Sequence, residues 1–405
     1  MNEWIAAHPD LVLALIKVVA VVFLLMTGIA YLAWFERKVL AHIQSRWGPY
    51  RVGPHGLLQP LADGLKFLFK EDISQLNLTS PFIYGLAPFL AMTLALLSIA
   101  VIPFGPATIQ VFGRSTGLYV ADINIGVLFI LAVTSLGVYG IALAGWSSNS
   151  KYPLLGSLRS AAQMVSYELA LTFSVIGVLL QAGSLSLRQI VEEQGGTWGL
   201  AHWYIFPQIV GFTCFFISAL AETNRIPFDL PEAETELVAG FHTEYSSFRF
   251  AMFFLAEYAN MITASCLATL LFFGGWHSPF PTTGAFAITR YAPVAALAVL
   301  ALVCLWDVLR LPRPLHRLVM LALGLGLGGL AGLVAQPGVL EAVQGVFWFL
   351  AKVVTFLFVY VWIRGTLPRF RYDQLMAFGW KFLVPVAVAN LIVTGFVIAW
   401  RASQP

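Results

Sequence analysis

Ten apolar segments of about 20 residues recur along this chain, and they constrain its fold more than any other feature. A helix needs about 20 residues to cross ~30 Å of hydrocarbon. The segments lie at 11–35, 82–104, 122–146, 160–181, 204–221, 249–273, 291–309, 318–335, 341–363 and 381–400. Only 11% of the residues are charged and the mean hydropathy is +0.82, whereas soluble globular chains carry about 25% charged residues. We therefore predict an all-α, polytopic membrane helix bundle of about ten spans, forming one integral membrane domain over residues 1–405.

The basic residues indicate how this bundle is oriented. Loops that follow the odd-numbered segments hold 17 of the 23 Lys and Arg residues, and basic loops face the cytoplasm. The N-terminus lacks the basic start of a secretory signal, because Glu3 and Asp10 precede the first basic residue, Lys17. We predict that the first segment is a retained span and that both termini lie on the non-cytoplasmic side.

The seventh and eighth segments, 291–309 and 318–335, allow two interpretations. If both cross the membrane, their connector RLPRPLHR falls on the basic side. A re-entrant or surface hairpin would preserve the later topology equally well. The run GLGLGGLAGL in the eighth segment permits close helix packing, which predicts a helix held against its neighbours.

Several kinds of chemistry are excluded by missing motifs. Cys214, Cys266 and Cys304 lie singly in apolar segments, without the clustering that a disulfide framework or an iron–sulfur site requires. The chain has no GxGxxG after a strand, no Walker loop and no nucleophile elbow. Its histidines are scattered, and its basic residues follow the membrane topology. We expect no metal, no bound cofactor and no nucleic-acid partner for this chain.

An acidic loop at 221–245, AETNRIPFDLPEAETELVAGFHTEY, is the strongest candidate for a functional site. It places six of the chain's 20 acids between two apolar segments, with Arg225 as their fixed opposite charge: Glu222, Asp229, Glu232, Glu234, Glu236 and Glu244. Carboxylates this close repel one another, so some retain protons above the usual pH range, which suits proton handling.

Charged residues inside the spans extend this hypothesis into the membrane. Glu168 and Glu257 each lie about eight residues, or roughly 12 Å, from the cytoplasmic ends of their predicted helices. Carboxyl groups at that depth are candidates for function. The alternative is a charge neutralised by a partner, which only fixes helix packing. Lys352 lies near the middle of its segment and is a candidate partner for one of these glutamates.

The first cytoplasmic loop contains an amphipathic helix over 57–70. Its leucines cover one arc while Gln59, Asp63, Lys66 and Lys70 cover the opposite arc. We expect it to lie flat in the membrane interface, and pattern alone favours a simple connector. Arg37, Lys38, Arg46 and Arg51 cluster upstream of it, where a polar headgroup, an acidic partner or anionic lipid could bind.

Four long motifs resemble those of the quinone-pocket membrane subunit of respiratory complex I, called the H subunit in bacteria and subunit 1 in mitochondria. They are WFERKVLAHIQSRWGPYRVGPHGLLQPLADGLKFLFKEDI, SAAQMVSYELAL, AETNRIPFDLPEAETELVAGFHTEYSSFRFAMFFLAEYANM and RGTLPRFRYDQLM. The resemblance covers about 11–280 and 343–400. It departs at 285–340, where the family usually has a short loop. The sequence thus predicts eight family-like spans and an inserted helix pair at 285–340.

The resemblance implies a part of NADH-quinone oxidoreductase that couples quinone reduction to proton translocation. It implies an acidic path comprising Glu168, Glu222, Asp229, Glu232, Glu234, Glu236, Glu244 and Glu257, modulated by Arg225. It also implies a quinone cavity lined by Arg37, Arg46 and Asp63, with helix 57–70 at its entrance. Quinone is then the substrate, and FMN and iron–sulfur clusters belong to partner subunits. The implied partners are the other membrane-arm and peripheral-arm subunits and membrane lipids, in the bacterial inner membrane.

Two other classes stay open on sequence alone. A related membrane subunit occurs in membrane-bound hydrogenases, but a match to AETNRIPFDLPEAETELVAG over its whole length favours the quinone enzyme. A secondary transporter would use the buried acids for ion coupling and predicts paired repeats in the two halves. No such repeat is evident in the sequence.

Overall fold

The computed structural model describes residues 9–72, 78–106, 108–111, 114–196, 198–229, 238–281 and 284–404. Within these ranges the chain is an all-α polytopic membrane bundle, which confirms the predicted fold class, and nine helices are long and apolar enough to cross a membrane. The helices are α1 (Pro9–Ile43), α2 (Gln59–Phe69), α3 (Pro81–Ile99), α4 (Gly126–Ser147), α5 (Lys151–Ala182), α6 (Leu187–Glu193), α7 (Ile209–Glu222), α8 (Ser247–Phe272), α9 (Ala292–Arg310), α10 (Pro314–Val334), α11 (Pro337–Thr366), α12 (Tyr372–Phe378) and α13 (Val384–Ser403). A π-helical segment, Gly379–Leu383, joins α12 to α13.

Shorter elements occur in the connections. Single 3₁₀ segments lie at Pro54–Gly56, Gly199–His202, Gly240–His242 and Gly284–Tyr291. A small antiparallel hairpin of β1 (Thr108–Val111) and β2 (Arg114–Gly117) lies between α3 and α4. This hairpin was not predicted, because strands of four residues leave too short a pattern in the sequence.

The core of the bundle lies around α5 and α8, the most buried of the spans. Tyr167 of α5, Phe272 of α8 and Phe349 of α11 are fully buried aromatic residues. By contrast, α1 and the pair α9 and α10 are among the least buried spans. The two helices that carry Glu168 and Glu257 are therefore the two most enclosed by the rest of the chain.

The fifth predicted span begins later than its apolar pattern suggests. The apolar segment starts at residue 204, whereas α7 starts at Ile209. Proline disfavours the helical conformation of the residue before it, and Pro207 stands just ahead of the helix. The buried Gln208 side chain then donates to Thr394 Oγ1 at 2.8 Å, so the helix start is fixed against α13.

Helix α2 matches the predicted amphipathic helix of the first loop. None of its residues is buried, and Leu61, Leu65 and Leu68 are exposed along its apolar face. Its end is fixed to the start of α8, where Ser247 Oγ donates to the Lys70 carbonyl at 2.7 Å. An exposed apolar face on a tethered helix is consistent with a position flat in the membrane interface.

The seventh and eighth segments form a pair of long helices, α9 and α10, that pack along one another. Both have the length and composition of membrane spans, which favours the crossing interpretation over a surface hairpin. Only part of the glycine run packs as predicted. A Cβ at Gly324 would meet Leu305 of α9 at 2.9 Å, whereas Cβ atoms at Gly328, Gly329 and Gly332 would meet no described atom within 4 Å. That the pair is an insertion stays a prediction.

Candidate functional site

The acidic loop is described in part. Glu222, Asp229 and Glu244 lie in the described residues, and Glu232, Glu234 and Glu236 lie outside them. The Glu244 carbonyl accepts a hydrogen bond from the Tyr84 hydroxyl at 2.7 Å, which joins that end of the loop to α3. Asp229 pairs with Arg369 at 3.1 Å, in the segment that follows α11.

The stretch just after α7 is fixed in place by a buried glutamine. Gln163 of α5 donates through its amide nitrogen to the carbonyls of Ala221, at 2.8 Å, and Phe228, at 2.9 Å. Asn224 in the same stretch donates to Ser160 Oγ of α5 at 3.2 Å. The two bonds of Gln163 satisfy backbone carbonyls that would otherwise be buried without partners. They also set the position of Arg225 between them.

Arg225 is the centre of a buried ion-pair network. Its Nε lies 2.7 Å from Glu257 Oε1 of α8, and its Nη1 lies 3.4 Å from Glu36 Oε1 of α1. The guanidinium also stacks over the Tyr258 ring, 4.3 Å from the ring centroid. The side chains of Arg225 and Glu36 are only 6% and 5% exposed. Removal of one member of so buried a network leaves an uncompensated charge.

Glu36 has three partners, and sequence reasoning missed it. Besides Arg225, it pairs with Arg364 of α11 and accepts a 2.7 Å hydrogen bond from the Tyr258 hydroxyl at Oε2. A helical signal was available: Glu36 shares the spacing i, i+3, i+7 with Ile29 and Leu32, which are both buried. A carboxylate on the buried face of an apolar helix needs a cation partner, so this position qualified as a candidate.

A cavity of about 130 Å³ lies beside this network. Its polar lining includes Glu257 and Asn260 of α8, Glu222 of α7 and His242. A volume of that size holds several water molecules, and the site offers them polar partners. The structure therefore brings Glu222 and Glu257, which lie 35 positions apart in sequence, to one cavity.

His242 reaches the cavity because a loop packs closely on α5. A Cβ at Gly156 of α5 would lie 2.9 Å from the backbone of Gly240, so only glycine permits this approach. The His242 ring packs edge-on against Phe241 and Phe250. Burial lowers the pKa of His242 to about 4, so its imidazole is neutral at physiological pH.

A second, smaller cavity of about 20 Å³ continues beyond Glu222. Thr134 of α4 and Thr263 of α8 line it, and Glu222 and Asn260 border both cavities. That volume accommodates a single water molecule. Glu222 thus borders two cavities, each with a few polar groups in a mainly apolar lining.

Glu168 lies next in this series of acids. It interacts electrostatically with Glu222 and accepts a hydrogen bond from Ser135 of α4 at Oε1. The order of the described acids is therefore Glu257, the larger cavity, Glu222 and then Glu168. That these acids form a file entering the bilayer, and the role of each residue in it, stay predictions.

The three predicted quinone-cavity residues are only partly brought together. Arg37 Nη1 lies 2.6 Å from Asp63 Oδ2, which joins α1 to α2, and Gln59 donates to Asp63 Oδ1 at 2.9 Å. Arg46 is exposed beyond the end of α1, and its Nε donates to Gln44 Oε1 at 2.7 Å. The structure thus places Arg37 and Asp63 in one contact and Arg46 in a separate one.

The predicted pairing of Lys352 with a membrane glutamate is wrong. Its Nζ donates to the carbonyls of Phe273, Gly275 and His277 at 2.7, 2.9 and 2.7 Å, and lies 4.1 Å from the centroid of the Trp203 ring. Carbonyls at a helix C-terminus lack helical partners and carry partial negative charge. These three follow the end of α8, so the ammonium is satisfied without a carboxylate.

Comparisons with known proteins identify the family. The sequence model of the family described as NADH dehydrogenase matches residues 16–395. The chain is 55% identical over 392 residues to the NADH-quinone oxidoreductase H subunit 1 of Solibacter usitatus, covering 96% of this chain and 97% of the relative. It is 52% identical to the H subunit 2 of Koribacter versatilis, covering 96% and 98% of the two chains. It is 47% identical to the H subunit of Thermomicrobium roseum, covering 92% of each. These matches select the quinone enzyme over a hydrogenase subunit or a transporter, and the chain belongs to the H-subunit family of NADH-quinone oxidoreductase, as a membrane subunit of respiratory complex I.

Proposed function

We propose that this chain forms part of the quinone-binding and entry cavity of the complex and the first part of an acidic path that couples quinone reduction to proton pumping. The observation that carries the proposal is the continuity of the buried acids. Arg225 pairs with both Glu36 and Glu257, and one cavity joins Glu257 to Glu222. Glu168 follows within electrostatic range of Glu222.

The acids of this series are suited to pass protons. Glu257 and Glu222 face a cavity large enough for several water molecules, through which a proton could move between them along hydrogen-bonded solvent. Arg225 favours the ionised form of the acids that it contacts, and a change in its contacts would change their proton affinity. The neutral imidazole of His242 adds a hydrogen-bonding group to the same cavity. We assign Asp229, Glu244 and the undescribed Glu232, Glu234 and Glu236 to the approach to this path.

The entrance for quinone is proposed at α2. A quinone tail is apolar and must leave the bilayer beside an apolar surface, and α2 presents exposed leucines there. The pair of Arg37 and Asp63 lies at the junction of α1 and α2, and Arg46 follows the end of α1. Cationic and hydrogen-bonding groups beside an apolar route can bind the polar quinone head.

The proposal also covers what surrounds the chain. Partner subunits of the complex hold the FMN and the iron–sulfur clusters, and this chain supplies the cavity and the acids. It lies in the bacterial inner membrane with both termini on the non-cytoplasmic side, as its basic loops indicate. Membrane lipids cover its exposed apolar faces.

Substitution of Glu222 tests the acidic path. In assembled complex, Glu222→Gln should reduce quinone reduction and proton pumping at least tenfold, because a glutamine cannot take up and release a proton. Electron transfer from NADH to an artificial acceptor, which bypasses this chain, should stay within about twofold. Full quinone activity with normal pumping would assign the acids to helix packing instead.

Glu192→Gln is the matched control. Glu192 lies on α6 with its side chain 53% exposed and pairs with Arg188 at 2.8 Å on the surface. The same chemical change there should leave both activities unchanged, since an exposed pair contributes little to stability. Equal losses in the two variants would indicate a general effect of charge rather than a path.

A further inference from the structure

The cytoplasmic-side end of the α9–α10 pair carries an uncompensated positive charge. Over residues 292–334 the charged side chains are Asp307, Arg310, Arg313 and Arg317. The one acid is outnumbered by the three arginines, and its Oδ2 lies 3.3 Å from His55 Nε2. The three arginines make no ion pair within the described part of the chain, although Arg317 Nε donates to the Leu311 carbonyl at 2.6 Å.

Several arginines in the other basic loops pair with carboxylates of the chain itself. Arg249 pairs with Asp72 at 3.2 Å, and Arg37 and Arg369 pair with Asp63 and Asp229. Arg364 and Arg225 both pair with Glu36. The connector between α9 and α10 has no such shared carboxylate. The connector end of the α9–α10 pair therefore holds three guanidinium groups that have no carboxylate partner within the described part of the chain. An anion from outside the chain would complement it.

An apolar surface adjoins these arginines. Trp306 and Leu309 of α9 and Leu315 and Leu318 of α10 are 59%, 79%, 69% and 64% exposed, each within a few positions of an arginine. The Arg310 guanidinium also lies over the Trp306 ring, 5.2 Å from its centroid. Tryptophan and arginine together are typical of the depth at which lipid headgroups meet acyl chains. A ligand for this surface thus needs an anionic head and a long apolar part.

We propose that the end of the α9–α10 pair is a binding site for one anionic phospholipid. The phosphate is bound by Arg310, Arg313 and Arg317, and the acyl chains lie along the exposed leucines of the two helices. Guanidinium groups bind phosphate oxygens in a bidentate geometry. Asp307 lies close to His55 of the loop before α2, so the bound headgroup lies beside that loop. The site requires no role for quinone or for the acidic path.

Photocrosslinking in the purified complex tests this site. Phosphatidylglycerol with a diazirine near its headgroup should label residues 306–318, and vesicles of phosphatidylglycerol should compete whereas phosphatidylcholine vesicles should not. In Arg310→Gln/Arg313→Gln, the lipid concentration for half-maximal labelling should rise about 25-fold, taking about fivefold per basic residue at a membrane surface. Should the double variant fail to assemble, Arg313→Gln alone, an exposed position, should give about a fivefold rise.

The matched control removes the same charge from the opposite end of the bundle. Arg290→Gln/Arg401→Gln should leave labelling of 306–318 unchanged, with assembly of the complex verified on native gels. Three outcomes would overturn the proposal: equal labelling of both double variants, equal competition by phosphatidylcholine, or competition by inorganic phosphate alone. Loss of a partner subunit from the arginine variant with no change in labelling would instead assign the surface to a protein carboxylate.

Discussion

Replacing Arg225 by methionine should expose the cost of the buried carboxylates that it neutralises. Glu36 would still pair with Arg364, whereas Glu257 would lose the guanidinium that lies 2.7 Å from it. Glu257 must then either remain charged without this partner or take up a proton. Breaking a buried pair costs about 3–5 kcal/mol. Glu257 can avoid this cost by taking up a proton. For an ordinary glutamate with a pKa of about 4.3, protonation at pH 7 costs about 3.7 kcal/mol, which is therefore the upper limit of the destabilisation.

This penalty has two signatures. It should fall as the pH decreases, because protonation of Glu257 becomes easier. It should also disappear in Arg225→Met/Glu257→Gln, which has no carboxylate to neutralise at that position. If most of a penalty of about 3 kcal/mol appears in the unfolding rate, the half-life of the intact complex at a raised temperature changes about 100-fold.

The assay follows the fraction of intact detergent-purified complex on native gels during heating at pH 6 and pH 8. Arg225→Met should be lost much faster than wild type, and more so at pH 8 than at pH 6. The double variant should approach wild type at both pH values. If the double variant is as labile as Arg225→Met, the loss arises from the packing of the guanidinium on Tyr258, and the electrostatic argument is refuted.

Three further predictions concern the acidic loop, the quinone entrance and the hairpin. Glu232→Gln or Glu234→Gln should reduce quinone reduction and pumping several-fold while NADH oxidation by an artificial acceptor stays nearly intact; full activity in assembled complex would make the loop a docking surface. Arg46→Ala should raise the apparent KM for quinone about tenfold, by loss of a charge-assisted hydrogen bond, and an unchanged quinone titration would place the cavity elsewhere. A chain that lacks α9 and α10, with Thr282 joined to Gly338 through a short polar linker, should still assemble and reduce quinone, with lower thermal stability. If this complex assembles but does not reduce quinone, α9 and α10 take part in the mechanism.

Sequence reasoning recovered the elements of this fold because its helices follow long apolar periods. The start of α7 was missed because Pro207 acts locally inside an apolar segment. Lys352 was assigned the wrong partner because backbone carbonyls can satisfy a buried charge as well as a carboxylate can. Every residue has a carbonyl, so no residue type in the sequence indicates such a partner. Glu36 was overlooked beside Arg37 and Lys38, although its helical spacing placed it on the buried face.

The candidate site was harder to predict than the fold. The residues Glu222 and Glu257 were named from charge, position and the family resemblance, but the cavity that they share depends on how α7 and α8 meet. Likewise, the close approach of the Gly240 backbone to α5 brings His242 to that cavity. Such contacts join positions far apart in sequence, so a periodic pattern within one helix cannot indicate them.

The three hydrogen bonds donated by Lys352 have a mechanical consequence for α8. Three carbonyls just beyond the end of this helix are bound to one ammonium on α11, so that end is a fixed pivot. Glu257 lies 15 residues from Phe272, about 22 Å along the axis at 1.5 Å per residue. A tilt of about 5° about the pivot would therefore move Glu257 by about 2 Å. Since its contact with Arg225 is only 2.7 Å long, a small rotation of α8 is enough to open or close that ion pair.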